Sequence, residues 1–172
     1  MESICLESPR LILRTPRPGD KDFFIQLYAN ARVMAHIPPR GKPESREGGL
    51  RRFNALTNHW EKHGYGMFVL ELKTGKERVG YCGLRFLEAA GAVELGYIID
   101  EPHWGKGMAP EAARRCVEFA RADVKAGEVV SMTHPGNGPS QTILTRLGFV
   151  RCQERDGIYH GMAHDFFILP LK

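Results

Sequence analysis

The sequence predicts a single α/β (α+β) domain, residues 1–172, in which one sheet packs against helices. Three observations predict it. Short runs alternate polar and apolar residues with period two, as strands do. One run, Ala109, Ala112, Ala113, Cys116, Val117 and Ala120, repeats its apolar residues with helical spacing. A glycine-rich turn joins a strand directly to that helix, as layered α/β folds require. The order read along the chain is strand, two helices, three strands, helix, strand, helix, two strands, with no internal repeat and no linker.

Each element follows from local chemistry. Residues 9–15 alternate and give a first strand, broken by Pro16, Pro18 and Gly19. Asp20 suits the start of a helix carrying Phe23, Phe24, Leu27 and Tyr28. A loop rich in proline and glycine covers 37–44. A second helix spans 45–63, with Leu50, Phe53 and Trp60 on one face, and ends at Gly64 and Gly66. Strands follow at 67–72, 78–86 and 92–99, with Gly75 in the first turn and 88–91 in the second. The third helix covers 107–122, and 129–133 is a strand. Pro139 suits the first turn of a fourth helix, which bears Ile143, Leu144 and Leu147 and stops at Gly148. Residues 149–155 and 162–169 close the sheet as a pair around a turn at Asp156-Gly157.

Composition narrows the function classes. Hydrophobic residues at 42% and charged residues at 26% support a real core and exclude extensive disorder. The net charge, 24 − 20 = +4, comes from scattered residues rather than a stripe, so no nucleic-acid partner is expected. No apolar run is long enough to span a membrane, and the first residues lack the pattern of a secretory signal, so a cytoplasmic protein is expected. Cys5, Cys82, Cys116 and Cys152 form no C-x-x-C pair and read as reduced thiols, with no metal.

The segment that carries chemistry is 94–112. A strand runs into Trp104-Gly105-Lys106-Gly107-Met108-Ala109 and on into a helix. The glycines let successive N–H groups curl into one concavity, and the helix start adds unpaired N–H groups and a positive dipole end. Together they suit a pyrophosphate, with Lys106 adding charge. The pattern matches neither G-x-x-x-x-G-K-[ST] nor G-x-G-x-x-G. On local chemistry alone, a glycine turn without a ligand stays open.

The same segment resembles the Q/R-x-x-G-x-G/A acetyl-CoA motif of the GNAT acyltransferase superfamily, with Trp104 where Gln or Arg is usual. That departure is typical of the RimJ/RimL-like branch, which resembles ribosomal-protein N-terminal acetyltransferases. Arg10-Leu-Ile-Leu-Arg14 is similar to the branch's opening R-L-x-L-R. Residues 104–112 resemble W-G-x-G-x-A-x-E-A, and Asn137-Gly-Pro-Ser140 with Leu147-Gly-Phe149 resembles N-x-x-S…L-G-F.

The resemblance implies a central, mostly antiparallel mixed sheet, splayed where acetyl-CoA binds and flanked by about four helices. It implies that the backbone of Tyr97, Ile98 and Ile99 pairs with the pantetheine arm. Backbone N–H groups of Trp104, Gly105, Lys106, Gly107, Met108 and Ala109 would hold the pyrophosphate, and Asn137 would reach the cofactor from across the splay. Asn137 also suits a helix cap, and the two roles can coexist.

Acyl transfer from a thioester needs a neutral amine, a stabilised oxyanion and a tolerable leaving thiolate. An α-amine of pKa ~7.7–8.0 is far more often neutral at pH 7 than a lysine of pKa ~10.4. Glu94, on the strand leading to the cofactor, is the candidate base, acting directly or through a water. A solvated carboxylate or a partner for a substrate ammonium are the other readings of Glu94. Ser140 is the candidate acid, since the helix tyrosine many superfamily members use is replaced by Leu144. Ser140 is alternatively a first-turn hydroxyl.

Remaining residues carry plainer expectations. His59 and His63 are four apart on a helix but lack a third ligand. Tyr159, His160 and His164 lie where a substrate cleft would close, and Arg40, Lys42 and Arg46 can reach an acidic substrate or cofactor phosphate.

The reading is an acetyl-CoA-dependent N-acetyltransferase, monomeric or homodimeric, with a peptide N-terminal α-amine as favoured acceptor. Small amines such as polyamines, amino-acid derivatives or antibiotics are the alternative. A catalytically silent acyl-CoA-binding module and a binder of another nucleotide are the rivals from other classes.

Overall fold

The structure is a computed structural model that describes residues 4–38, 41–88 and 91–171. Nine strands line up in the order β1-β2-β3-β4-β5-β6-β9-β7, with β8 paired to β9 off that path. They are β1 Cys5–Glu7, β2 Leu11–Arg14, β3 Met67–Leu72, β4 Arg78–Leu87, β5 Ala92–Ile99, β6 Glu128–Thr133, β7 Val150–Arg151, β8 Gly157–Tyr159 and β9 Met162–Pro170. The helices are α1 Lys21–Ala29, α2 Ala31–Met34, α3 Arg46–His63, α4 Met108–Ala122 and α5 Gly138–Arg146. Every pairing is antiparallel except β5 with β6. The mostly antiparallel mixed sheet expected from the resemblance is therefore present.

Helix ends follow the capping residues. The Ser45 hydroxyl accepts the Gly48 N–H at 3.2 Å. At the other end Gly64, at φ 72°, donates its N–H to the Trp60 carbonyl. The four-residue α2, which the sequence did not suggest, is held by Asn30, whose side chain accepts the N–H groups of Arg32 and Val33. Strand β1 also escaped the sequence reading: it has three residues, and only Leu6 is buried, so it shows no periodicity.

The closing strands differ from the expectation. The run expected at 149–155 shortens to Val150–Arg151, followed by a 3₁₀ turn at Gln153–Arg155. The hairpin turn is His160-Gly161, not Asp156-Gly157. Both turn residues have positive φ, 51° and 82°, which is the backbone a two-residue hairpin needs. Asp156 instead accepts the Phe166 N–H at 2.8 Å and pairs with Arg151.

Two apolar layers cover the sheet. Leu95 and Ile99 of β5 join Ala112, Cys116 and Phe119 of α4 and Leu144 of α5 on one face. Ile98 joins Phe24, Tyr28, Phe53 and Tyr81 on the other, under α1 and α3. Period two along β5 therefore sends Glu94 and Ile98 toward α1 and α3, and Leu95, Tyr97 and Ile99 toward α4 and α5. At the end of β2, Arg14 is 4% exposed and grips Asp20 with two hydrogen bonds of 2.7 and 2.8 Å. Glu71 takes a third bond from Arg14, and Arg78 and the Arg17 amide also bind Asp20. This network ties β2, β3 and β4 to the turn that starts α1.

Candidate active site

The parallel pairing of β5 with β6 is short. It covers Val93↔Val129 and Glu94↔Val130, and the Ser131 hydroxyl then donates to the Leu95 carbonyl at 3.0 Å. Beyond this point β5 and β6 no longer pair, and a cavity of about 520 Å³ opens, reaching side chains from both faces of the sheet. The α4/α5 side contributes Tyr97, Asn137 and Ser140, and the α1/α3 side contributes Tyr81, Arg85 and Glu94.

The glycine loop lies beyond the end of β5. Gly105 and Gly107 both have positive φ, 71° and 76°, so the backbone curls as expected before α4 begins at Met108. The Trp104 N–H, expected to face the pyrophosphate, is instead bonded to the Glu101 carbonyl at 3.1 Å, whereas the N–H groups of residues 105–109 meet no backbone acceptor among the described residues. They coincide with the positive end of a 15-residue helix, which is the chemistry of an anion site. Lys106 is exposed and free to add charge, while its carbonyl accepts a bond from Arg10 Nη1 at 2.7 Å. Arg10 also binds Glu111 in the first turns of α4, through Nε at 2.7 Å and its own N–H at 2.8 Å. Ser8 adds a 2.7 Å bond to the same carboxylate. Burial opposes the charge of Glu111, but these three donors outweigh it and hold its carboxyl below the usual range. The start of β2 thus buttresses the loop, a role that the sequence reading did not give to Arg10 or Glu111, although both belong to the quoted patterns.

Trp104 is 42% exposed, and its indole N–H donates to the Ile99 carbonyl at 2.7 Å. That carbonyl is consequently engaged within the chain. Ile98 is buried on the opposite face, against Tyr81 and Phe24.

Opposite β5, Asn137 caps α5 through its side-chain oxygen, which accepts the Ser140 N–H at 3.3 Å. Its amide nitrogen has no partner among the described residues. Ser140 Oγ lies 2.9 Å from the Tyr97 hydroxyl. Burial pushes the Tyr97 phenol well above its usual pKa, against a smaller opposing effect of Ser140, so Tyr97 keeps its proton, and either hydroxyl of the pair can donate to the other. The sequence reading used Tyr97 for its backbone alone. Alternation gave the face of the strand but not the helix residue brought opposite its hydroxyl.

Across the sheet, Glu94 is 4% exposed, and one carboxylate oxygen accepts the Arg85 Nε–H. Its other oxygen has no hydrogen-bond partner among the described residues. His164 is also buried at this cavity, and its Nδ1–H donates to the Met162 carbonyl at 2.9 Å, leaving Nε2 as an acceptor. Burial lowers the His164 pKa, so the ring is neutral at pH 7. Beneath them the Tyr28 and Tyr81 hydroxyls share a 3.0 Å bond. At the cavity wall His36 and His134 stack with ring centroids 5.1 Å apart, linking the segment after α2 to the loop after β6.

Other expected residues do not gather here. Tyr159 gives its hydroxyl to the Arg155 carbonyl at 2.7 Å, although its neighbour His160 does line the cavity. Arg46 pairs with Asp22 at an exposed surface, and Lys42 does not line the cavity. Arg40 lies outside the described residues. Arg52, six residues beyond Arg46 on α3, lines the cavity instead. His59 uses both ring nitrogens on backbone, donating to the Tyr65 carbonyl and accepting the Phe86 N–H, each at 2.9 Å. It stacks on His63 and pins α3 to β4.

Residues 10–150 match the family described as the acetyltransferase (GNAT) domain. The chain is 26% identical over 152 residues to the uncharacterized N-acetyltransferase p20 of Bacillus licheniformis, covering 87% of this chain and 83% of that protein. Its fold is similar to the ribosomal-protein-S5-alanine acetyltransferase of Vibrio fischeri, with TM-score 0.75, 18% identity, and coverage of 98% and 97%. It is also similar to the spermidine N-acetyltransferase of Vibrio cholerae solved with CoA and spermine, with TM-score 0.74, 20% identity, and coverage of 94% and 95%.

Proposed function

Because the chain belongs to the GNAT acetyltransferase family, and is an N-acetyltransferase of it, we propose that it transfers an acetyl group from acetyl-CoA to an α-amine in a cytoplasmic setting, in one ternary complex. The observation that carries the reading is the cavity at the end of the β5–β6 pairing. It joins a hydroxyl pair on one face to a carboxylate on the other, and the glycine loop lies outside it, beyond the end of β5.

In this reading the N–H groups of residues 105–109 hold the pyrophosphate of the donor, and the open edge of β5, at Tyr97 and the Ile99 N–H, receives its amide-bearing arm, the Ile98 backbone being turned toward β4. The carbonyl of Ile99 is left out, being held by Trp104. Asn137 keeps its cap and offers its amide nitrogen to the donor. Glu94 holds the incoming ammonium with its free oxygen and accepts its proton, directly or through a water. The neutral nitrogen then attacks the thioester carbon, and a backbone N–H of β5 faces the oxygen on which charge develops. As the carbon–sulfur bond breaks, the attacking nitrogen loses its remaining extra proton to solvent water, Ser140 donates a hydrogen bond to the departing thiolate, and Tyr97 donates to Ser140, orienting that hydroxyl.

A thiolate of pKa ~8.5 leaves without full protonation, so the pair stabilises it rather than titrating. Removing a hydrogen bond to a charged group costs about 1.5–3 kcal/mol, so Ser140→Ala is expected to lower kcat about 10- to 100-fold with KM for acetyl-CoA little changed. Tyr97→Phe lowers kcat less, and the double variant is no slower than Ser140→Ala alone. Additive losses in that cycle would mean that the two hydroxyls act separately.

Arg10→Ala is expected to weaken CoA binding about fivefold, since an exposed ionic contact is worth ~1 kcal/mol. An unchanged affinity in a CoA titration would remove Arg10 from the account of the loop.

The function itself is tested by thiol release from acetyl-CoA against peptides with varied N-termini, amino acids, polyamines and aminoglycosides, with a CoA titration in parallel. Turnover on α-amines is expected. Turnover confined to polyamines or aminoglycosides would reassign the acceptor, and CoA binding without turnover on the panel would favour a silent module.

A further inference from the structure

The charges lining the cavity on the α1/α3 side are unusual for a site that must receive a cationic amine. Among the described residues that line it, Glu94 is the only carboxylate, against two guanidiniums, Arg52 and Arg85. That wall also carries Tyr81, whose phenol burial keeps protonated, and imidazoles, of which burial lowers the pKa of His36 and His164, so none of these three adds charge at pH 7. Arg52 is committed to the wall: it binds Glu44 at 2.8 Å and the Pro38 carbonyl, and lies over the Tyr28 ring at 5.2 Å.

Arg85 is different. Only its Nε is engaged, on Glu94, and its side chain is 43% exposed where it lines the cavity. Its two terminal nitrogens have no partner among the described residues. A guanidinium presenting two terminal nitrogens matches a carboxylate in a bidentate pair. Next to it, one oxygen of Glu94 remains for an ammonium. The two free functions sit on directly bonded partners, so a ligand that satisfies both carries its amine and its carboxylate a few bonds apart.

We infer that the acceptor is an amine bearing a nearby carboxylate, its ammonium on Glu94 and its carboxylate on the terminal nitrogens of Arg85. This deepens the proposed transferase reading and rests on it. A polyamine fails the same test, since its second ammonium would face Arg85. Two sources share the required chemistry: a free amino acid, with its α-carboxylate, and a polypeptide whose first residue is Asp or Glu.

The test measures kcat/KM for acetyl transfer with four matched acceptors on the full chain. Alanine against alaninamide probes the first source. A peptide amide beginning with Asp against the same peptide beginning with Asn probes the second. Spermidine is the cationic control. The expected result is a preference of about 10- to 100-fold for the carboxylate member of one pair, the loss of a charge-assisted bidentate contact. That preference should collapse toward unity in Arg85→Gln and fall in Arg85→Lys, which keeps the charge but not the fork. The readout is a ratio within each variant, so a general loss of activity from disturbing Glu94 cancels. Equal rates within both pairs, a preference for spermidine, or a preference that survives Arg85→Gln would overturn the inference and leave the transferase reading standing. No thiol release from either carboxylate acceptor also overturns it. The parallel CoA titration then decides whether the donor site fails with it.

Discussion

Glu94→Gln is expected to lower kcat by about 10²–10⁴-fold while leaving CoA affinity unchanged. The substitution keeps the shape of a side chain that is 4% exposed, so the packing around β5 changes little. In the proposed mechanism it removes both the negative charge that holds the incoming ammonium and the group that takes its proton. CoA affinity is the internal control, because the anion-binding loop lies beyond the far end of β5 and is buttressed by Arg10 and Glu111 rather than by Glu94. The loss should be largest below the pKa of the acceptor amine, where most of it is charged, and should shrink as pH rises and the amine arrives neutral. A loss under about threefold at neutral pH, less than ~1 kcal/mol of barrier, would transfer the base role elsewhere, with the neutral His164 ring next to it as the group to replace.

Asp20→Ala carries the largest expected effect on stability, about 3–5 kcal/mol, the cost of breaking a buried ion pair from one side. Asp20 accepts bonds from Arg14, Arg78 and the Arg17 amide. Its loss leaves the 4%-exposed Arg14 guanidinium with Glu71 as its one carboxylate among the described residues, where Arg14 Nε already lacks a partner. Burial alone would raise the Asp20 pKa. The hydrogen bonds from Arg14, Arg17 and Arg78 outweigh it and lower it below 3.8. A carboxylate with a depressed folded pKa contributes stability that is present above the unfolded value and lost as pH falls through the folded one. Denaturant unfolding followed from pH 7 to pH 2 should therefore show the gap between wild type and Asp20→Ala narrowing through the acid range. A gap that stays constant would mean that the network contributes by packing rather than by charge.

Legibility in the sequence tracked how local each signal was. Helix α3 was readable to within a residue because Ser45 and Gly64 mark its ends, and β3 and β5 were readable as strand-like runs set between glycine-bearing turns. The curl of the loop before α4 was readable because two glycines and a helix start lie within five residues. The hairpin turn was missed because His160 carries no turn signature, yet sits at φ 51°. The α1/α3 side of the cavity was the least legible. Arg52, Tyr81, Arg85 and Glu94 come from α3, β4 and β5, and only the register Arg85↔Glu94 brings the ion pair together. Tyr97 shows the same limit: its strand was read correctly, but the 2.9 Å contact with Ser140 depends on how α5 packs against β5.

The central claim is that one cavity takes a CoA thioester from the loop side and an amine from the Glu94 side. Calorimetric titration of CoA, repeated with ATP present in excess, tests it most directly. Saturable one-to-one binding of CoA that ATP fails to displace is the expected result, since the loop fits any pyrophosphate but only CoA carries an amide-bearing arm for the open edge of β5. Absence of CoA binding, or binding that ATP abolishes on equal terms, would contradict the account and make the loop a general nucleotide site.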